Sequence, residues 1–207
     1  MCLRYAVMDM LRFGRSLDAA SLQAMHEGSR RHRQFQQELM QKQPYVAIEQ
    51  SIRHEELRVS GRIDAVVRVE GELQAIEFKT VNGERFAQIG QMGPLFAHVA
   101  QLALYLELTG YRLGCLIVEN RETDERREYY FRPDADFGNW LRQRIAGATA
   151  AALARRLPER EISLGCRWCD RWQRCFTTEE QRDQMIADHP LFEPKPAFIS
   201  MPAAVSL

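Results

Sequence analysis

The pattern of hydrophobic and polar positions along the chain predicts an alternation of helices and strands. Helical spacing of apolar residues marks roughly the first 40 residues, up to Pro44, and returns over residues 95–110 and 139–157. Polar residues alternating with β-branched ones predict strands over residues 45–53, 57–69, 73–80, 114–120 and 128–132. Loop signals lie at residues 81–84 and 91–94, and Pro158 is expected to stop the last of these helices. This order of elements is typical of an α/β domain.

Length and composition place the chain in a broad class without giving its chemistry. With 207 residues, 45% hydrophobic and 27% charged, it suits one globular domain, which we expect over residues 1–189, followed by a proline-containing, irregular tail at 190–207. We find no apolar run near the ~20 residues that cross a bilayer, and the start lacks a secretory signal. We therefore expect a cytoplasmic protein without a membrane partner.

The formal net charge is +0, so the composition does not indicate a surface coated with phosphate-binding charge. Local basic clusters such as 30–33 and 126–127 are more often solvated surface than a nucleic-acid track. Any nucleic-acid function must therefore be argued from a site.

Candidate chemistry lies on a predicted hairpin. If Glu70 and Gly71 form a two-residue turn, counting back along the two strands places Asp64 opposite Glu77. Directly paired residues share one face of a sheet. Lys79 shares that face because side chains alternate along a strand, while Phe78 points the other way into the core. Asp64, Glu77 and Lys79 are thus expected to converge.

Two carboxylates held this close repel each other unless a cation lies between them. A hard divalent ion such as Mg²⁺ or Mn²⁺ suits oxygen ligands, makes bound water acidic enough to attack a phosphate, and stabilises the charge that grows there. Lys79 would orient that water or help hold the phosphate. The alternative is an ordinary cross-strand salt bridge among Asp64, Glu77 and Lys79, since a one-residue slip in register would reverse the faces.

The order of these motifs resembles the RecB-like branch of the PD-(D/E)xK nucleases, whose members carry an upstream histidine, an aspartate, a Glu-x-Lys and a Gln-x-x-x-Tyr helix. The matching positions in this chain are His32, Asp64, Glu77, Lys79, Gln101 and Tyr105. Gly28 precedes His32 at the family's Gly-x-x-x-His spacing, and His26 is the competing candidate. Ile63 stands where the family name has proline, a position that varies within the family.

The resemblance implies a restriction-endonuclease-like fold, a mixed β-sheet core flanked by helices. It also implies catalytic roles for Asp64, Glu77 and Lys79, with metal-binding positions at His32, Asp64, Glu77 and Phe78. Gln101 and Tyr105, which share one face of their predicted helix, would support the lysine or contact DNA. The alternative for this pair is a polar helix edge without a function.

Four of the five cysteines form a second pattern. Cys166, Cys169 and Cys175 lie close enough in sequence to share a metal, and disulfides are the weaker interpretation for a reducing cytoplasm. Cys2 matches the isolated N-terminal cysteine of RecB-like nucleases with an iron–sulfur cluster. The resemblance therefore implies a [4Fe–4S] cluster that joins the two ends of the domain, with zinc as the runner-up. Because chain ends fray, a ligand at Cys2 also leaves open a natural start further upstream.

Cys115 lies in a strongly apolar strand, and we expect a buried core thiol there.

In size and layout the chain resembles the compact RecB-like exonuclease associated with CRISPR systems and its relatives. This implies a metal-dependent deoxyribonuclease acting as an exonuclease on single-stranded DNA or overhangs. Its setting would be spacer acquisition in antiviral defence, alongside the CRISPR integrase subunits, or DNA repair and recombination. The rival hypothesis is a non-catalytic iron–sulfur module that binds DNA ends or a partner. A zinc-stapled structural protein is a third possibility.

Overall fold

The computed structural model describes residues 2–14, 19–42 and 44–189. Its five strands are β1 (Tyr45–His54), β2 (Val59–Val69), β3 (Glu72–Val81), β4 (Leu113–Asn120) and β5 (Arg126–Phe131). Its α-helices are α1 (Leu3–Met10), α2 (Ala19–Lys42), α3 (Gly83–Met92), α4 (Phe96–Thr109), α5 (Ala135–Leu153) and α6 (Glu179–Asp188). Two short 3₁₀ helices lie at Leu164–Trp168 and Trp172–Arg174. The predicted tail at 190–207 lies outside the described residues.

The strands form one mixed sheet in the order β1-β2-β3-β4-β5. All neighbouring pairs are antiparallel except β3 and β4, which are parallel. The crossover between these two strands contains α3 and α4, as a parallel pair requires. The expected mixed α/β sheet flanked by helices is therefore confirmed.

The two faces of the sheet carry different parts of the core. One apolar cluster joins the sheet to α3 and α4 through Phe86, Ile89, Val99, Leu102 and Leu106. The other joins it to α2 through Phe35 and Leu39. Strand β4 is buried along its whole length, as expected for a central strand covered on both faces. Cys115 on this strand is a fully buried thiol, which confirms the prediction for it.

Loops were predicted at residues 81–84 and 91–94, but helix α3 begins inside the first of these segments and ends inside the second. The Asn-Gly pair that indicates a turn in the sequence is instead a helix start, because the Asn82 side chain accepts a hydrogen bond from the Arg85 amide at 3.0 Å. At the end of α4, Gly110 has a φ of 72° and closes the helix in the left-handed conformation, as predicted. Helix α5 begins earlier than expected and ends at Leu153, before Pro158.

The chain divides into two compact units. Among the described residues, one is Gln23–Leu141, which contains the sheet, and the other combines those up to Leu22 with residues 142–189. The single nuclease domain expected over residues 1–189 stays a prediction. Within the described part of the chain, we find no helix whose length and apolar character would let it cross a membrane.

Candidate active site

The β2–β3 hairpin has the predicted register. Glu70 and Gly71 both have positive φ, 50° and 87°, as a tight two-residue turn requires, and the ladder runs from Val69–Glu72 to Ala65–Ile76. Beyond Ala65–Ile76, a side chain continues the pairing of the two strands: the Phe78 amide on β3 donates to Asp64 Oδ2 on β2 at 2.7 Å. Asp64 is thus held by the backbone of the strand that carries Glu77.

His32 on α2 lies beside this aspartate, whereas His26 is exposed. The Nδ1 atom of His32 is 3.5 Å from Asp64 Oδ1, and the imidazole ring packs edge-to-face with the Phe78 ring, with centroids 5.2 Å apart. Phe35, on the same helix, stacks on Phe78 at 4.4 Å. These aromatic contacts fix the turn of α2 that carries the histidine over the end of the hairpin.

An ion-pair network holds the same helix against the sheet. Arg31, next to His32, pairs with Glu119 at 2.8 Å, and the Glu119 residue on β4 is only 2% exposed. Arg126 on β5 pairs with Glu119 at 2.8 Å and with Glu38 on α2 at 2.8 Å. Because the central carboxylate is buried and paired on both oxygens, the network sets where α2 lies along the strands.

Glu49 on β1 is a candidate ligand that the sequence analysis missed. Side-chain ligand atoms of His32, Glu49 and Asp64 all lie within 4.8 Å of one another, and among the described residues these three form the one such group. Gln36 donates to one Glu49 oxygen at 2.6 Å, and Arg62 lies 3.0 Å from the other. Imidazole nitrogen and carboxylate oxygens suit a divalent ion.

The backbone at Glu49 is unusual for a strand. Its φ is 52°, in the left-handed region that costs a non-glycine residue free energy. Glu49 falls between the pairs Ile48–Ala65 and Gln50–Ile63, level with Asp64 on the next strand. The turn at residues 55–58 pairs His54 on β1 with Val59 on β2. Counting back along both strands from that pair brings Glu49 opposite Asp64, in the same way as counting from the β2–β3 turn brings Asp64 opposite Glu77.

Glu77 is the most deeply buried acid of the site. Its side chain is 1% exposed, Lys79 Nζ lies 2.5 Å from Oε1, and Oε2 is enclosed without a hydrogen-bond partner in the described part of the chain. Burial raises the pKa of Glu77 to about 7; Lys79 opposes this rise, and the negative charge of Asp64 adds to it. Burial likewise raises the pKa of Asp64, while His32 opposes that rise. An enclosed oxygen without a partner, among carboxylates that resist ionisation, fits a site made for a cation.

Phe78 can contribute only its backbone carbonyl to a metal, since its side chain is fully buried in the cluster with Phe35 and Leu39. Its placement agrees with the predicted alternation that sends Glu77 and Lys79 to the opposite face.

Gln101 and Tyr105 meet on α4 as predicted, with Gln101 Nε2 donating to Tyr105 Oη at 3.0 Å. Tyr105 is 6% exposed and packs over the backbone of Gly61 at the start of the motif on β2. A Cβ at Gly61 would lie 2.8 Å from the tyrosine ring and from its hydroxyl, so only glycine lets the two approach this closely. Burial raises the pKa of Tyr105, which keeps the phenol protonated. The pair is therefore part of the packed wall of the site.

The cysteines Cys2, Cys166, Cys169 and Cys175 belong to the second unit and are free, partly buried thiols. Burial raises the pKa of Cys2, and nearby Glu161 and Cys166 add to the rise. Burial also raises the pKa of Cys169 to about 11, with added effects from Asp170, Cys2 and Cys166. Cys2 and Cys166 thus both raise the pKa of Cys169, although Cys2 comes from the opposite end of the chain.

Polar contacts hold the N-terminal segment at this place. The Leu3 amide donates to Glu161 at 3.0 Å, Arg4 donates to the Pro158 carbonyl at 2.6 Å, and Arg144 also binds Glu161. Cys2 lies directly before Leu3 and is positioned by the same contacts.

A family model described as the PD-(D/E)XK nuclease superfamily matches residues 5–176. The chain therefore belongs to the PD-(D/E)XK nuclease superfamily, and the motif residues described above lie within the matched range. No curated protein sequence matches the chain.

Solved structures of an alkaline exonuclease show the same fold at low sequence identity. An alkaline exonuclease, LHK-Exo from Laribacter hongkongensis, aligns with a TM-score of 0.55 and 11% identity, covering 74% of this chain and 78% of that one. LHK-Exo in complex with dAMP aligns with a TM-score of 0.54 and 12% identity, covering 73% of this chain and 87% of that one. The crystal structure of SSO0001 aligns with a TM-score of 0.49 and 20% identity, covering 70% of this chain and 67% of that one.

Proposed function

We propose that this protein is a metal-dependent deoxyribonuclease that removes nucleotides from the ends of single-stranded DNA or overhangs. The observation that carries the proposal is the group of ligand atoms formed by His32, Glu49 and Asp64, together with the buried Glu77, whose carboxyl pairs with Lys79 and is affected by the charge of Asp64. Membership of a nuclease superfamily supports phosphodiester hydrolysis as the reaction.

The site contains candidate metal ligands and a lysine, Lys79. His32, Asp64, Glu77 and the Phe78 carbonyl would hold Mg²⁺ or Mn²⁺, and Glu49 joins them as a further carboxylate. Such an ion supplies an acidic bound water and stabilises charge on the phosphate under attack. The remaining polar contacts at the site, from Gln36 and Arg62 to Glu49 and from the Phe78 amide to Asp64, keep the carboxylates oriented.

Lys79 would act on the reacting phosphate. Its ammonium lies against Glu77 at 2.5 Å, and its side chain is 23% exposed, so it reaches both the carboxylates and solvent. It would hold the attacking water or a non-bridging phosphate oxygen. Gln101 and Tyr105 would brace this wall and contact the DNA strand.

Action from a DNA end is supported by the similarity of fold to LHK-Exo, which is described as an alkaline exonuclease and has been crystallised with dAMP. Release of mononucleotides is the outcome to look for.

The test is cleavage of end-labelled single-stranded and duplex DNA with Mn²⁺ or Mg²⁺ by protein purified without oxygen. Lys79→Ala and Asp64→Ala should abolish cleavage while the far-UV circular dichroism stays unchanged. Lys42→Ala, an exposed lysine at the end of α2, is the matched control and should cleave normally. Equal activity in the wild type and Lys79→Ala would refute the site. DNA-end binding without any cleavage would identify the non-catalytic module instead.

We also propose a [4Fe–4S] cluster on Cys2, Cys166, Cys169 and Cys175. It is supported by the electrostatic effect of Cys166 on Cys2, by that of both thiols on Cys169, and by the polar contacts that position the N-terminal segment. A cluster there would close most of the chain into a loop and stabilise the fold, since metal binding adds to folding free energy.

Iron, sulfide and zinc analysis of protein prepared anaerobically decides between the cluster and zinc. Cys169→Ser should lose the metal, whereas Cys115→Ala, which removes the core thiol of β4, should keep it. Full metal content in Cys169→Ser would show that this cysteine is not a ligand.

The biological setting we propose is the trimming of DNA before its insertion by CRISPR integrase subunits, with repair and recombination as the alternative. The resemblance of the motif set to the CRISPR-associated exonuclease supports the first. Co-purification with integrase subunits, and dependence of insert length on Lys79, would separate the two.

A further inference from the structure

The outer part of the β1–β2 hairpin is a two-stranded ribbon that begins at the proposed metal group. Residues 51–54 on β1 pair with residues 59–62 on β2, whereas the ladder between β2 and β3 starts only at Ala65. Glu49 and Asp64 lie level with each other at the inner end of this ribbon. A molecule bound along the ribbon would therefore reach the proposed reaction site.

The two faces of the ribbon differ in what covers them. On one face Ile52 belongs to the apolar cluster with α4, and its ladder partner Gly61 lies under the Tyr105 ring. The residues on either side of this pair point the other way, because side chains alternate along a strand. We call this second face the basic ribbon face; it consists of two serines and two arginines, all of them exposed: Ser51, Arg53, Ser60 and Arg62.

Both arginines of the basic ribbon face have nitrogen atoms available to a ligand. The Arg62 side chain is 67% exposed, and its Nε lies 3.0 Å from Glu49 Oε2. For its two terminal nitrogens, and for the whole Arg53 guanidinium, the described residues supply no hydrogen-bond partner. A guanidinium carries five N–H donors in a planar fork. Arg62 can therefore keep its contact with Glu49 and still bind an oxyanion.

The arrangement of charge suits a chain of phosphates better than a single anion. Arg53 pairs with Ser60, and Arg62 pairs with Ser51, so the two arginines are diagonal neighbours on one face. Diagonal neighbours lie ~7–8 Å apart, which lets them contact successive phosphates of one strand. The nearest exposed acids, Glu55 and Glu56, lie in the turn beyond the outer end of the ribbon.

We propose that the basic ribbon face holds the phosphodiester backbone of a single DNA strand, with Arg62 on the phosphate nearest the metal group and Arg53 on the next one. This rests on the proposed nuclease function and adds the path by which the strand leaves the site. The two strands of the ribbon are ~4.8 Å apart, a width that accommodates one nucleic-acid backbone. Through its contact with Glu49, Arg62 also connects the position of the strand to that of the metal ligands.

Binding without cleavage tests this surface. Affinity of fluorescent single-stranded DNA is measured by anisotropy in Ca²⁺ over a series of KCl concentrations. Arg53→Gln and Arg62→Gln should each reduce the slope of log affinity against log salt by about 0.7, the value for one phosphate contact on a single strand. Arg62→Lys, which keeps the charge, should keep the slope. Arg68→Gln, the same charge change on β2 near the β2–β3 turn, is the matched control and should also keep it.

Two further measurements separate a direct contact from an effect through the metal. The loss of slope in both glutamine variants should persist in chelator, because neither arginine needs the ion to bind a phosphate. Single neutral methylphosphonates along the strand should lower wild-type affinity at two successive positions. Arg53→Gln should make one of these positions unimportant, and Arg62→Gln the other.

An unchanged salt slope in either glutamine variant, or a wild-type affinity insensitive to every methylphosphonate, would overturn the proposal. The second result needs no variant and is independent of folding. Equal losses of slope on blunt duplex DNA would assign the face to duplex and overturn the commitment to a single strand.

Failure of this surface and failure of the nuclease function give different results. Cleavage that depends on Lys79, with unchanged slopes in the arginine variants, would keep the function and reject the surface. The expected slopes in a protein that cleaves no DNA would reject the function and keep the surface.

Discussion

Replacing Glu77 by glutamine should remove a specific pH dependence from the stability of the metal-free protein. The glutamate side chain is 1% exposed, and its pKa rises from 4.5 to about 7 on folding, mainly because burial penalises the charged form. A carboxyl with a raised pKa favours the folded state below pH 4.5, and this contribution is lost as pH rises through about 7. Glutamine is neutral throughout and keeps the volume of the side chain.

The size of the effect follows from the shift. One pKa unit corresponds to about 1.4 kcal/mol, so the wild type should lose about 3 kcal/mol of unfolding free energy relative to Glu77→Gln between pH 4.5 and pH 8. Loss of the Lys79 ion pair in the variant is already part of the shift, because Lys79 opposes the rise in pKa. An effect of this order is a large share of the stability of an ordinary domain.

Urea unfolding in the presence of chelator, at several pH values, measures the difference. Glu72→Gln, at the partly exposed start of the same strand, is the control and should follow the wild type. A free-energy difference between wild type and Glu77→Gln that is the same at pH 5 and pH 8 would refute the reasoning. Mn²⁺ requires the ionised carboxylate, so its affinity for the wild type should rise about tenfold from pH 6 to pH 8 in calorimetry.

Three further substitutions probe the surroundings of the site. Gly61→Ala should displace Tyr105, lower the unfolding free energy by about 1–3 kcal/mol and reduce cleavage; normal activity and stability would contradict the close approach. Arg31→Gln should leave one oxygen of buried Glu119 unpaired and cost about 2 kcal/mol, visible as a Tm lower by about 5 °C. An unchanged Tm would mean that the network does not hold α2. Glu49→Gln should weaken Mn²⁺ binding roughly tenfold or more, whereas unchanged affinity in calorimetry would exclude this carboxylate as a ligand.

The hairpin that carries Asp64 and Glu77 was predictable because its turn is local. Glu70 and Gly71 determine a two-residue connection, and a two-residue connection determines the pairing of every later residue on both strands. The α4 pair was predictable for the same kind of reason, since positions four apart on a helix always share a face. Both predictions needed only short-range geometry.

Helix α3 was missed because the Asn82–Gly83 pair can indicate either a turn or the start of a helix. An Asn-Gly pair after a strand favours a tight turn, but asparagine is equally a helix N-cap residue. The residues that follow, from Glu84 to Met92, decide between the two only through burial of Phe86 and Ile89 on the sheet, and that is a tertiary contact. Arg85 could not be placed on a helix without it.

Glu49 was missed because its position depends on strain that the fold imposes. Its side chain reaches His32 and Asp64 from a backbone with φ 52°, a conformation that sequence patterns disfavour for glutamate. Hydrogen bonding from Gln36 and pairing with Arg62 offset part of that cost. A partly exposed acid with a strained backbone in mid-strand, level with the buried Asp64, costs the fold stability. Its presence beside Asp64 therefore supports the proposal that this carboxylate is a metal ligand.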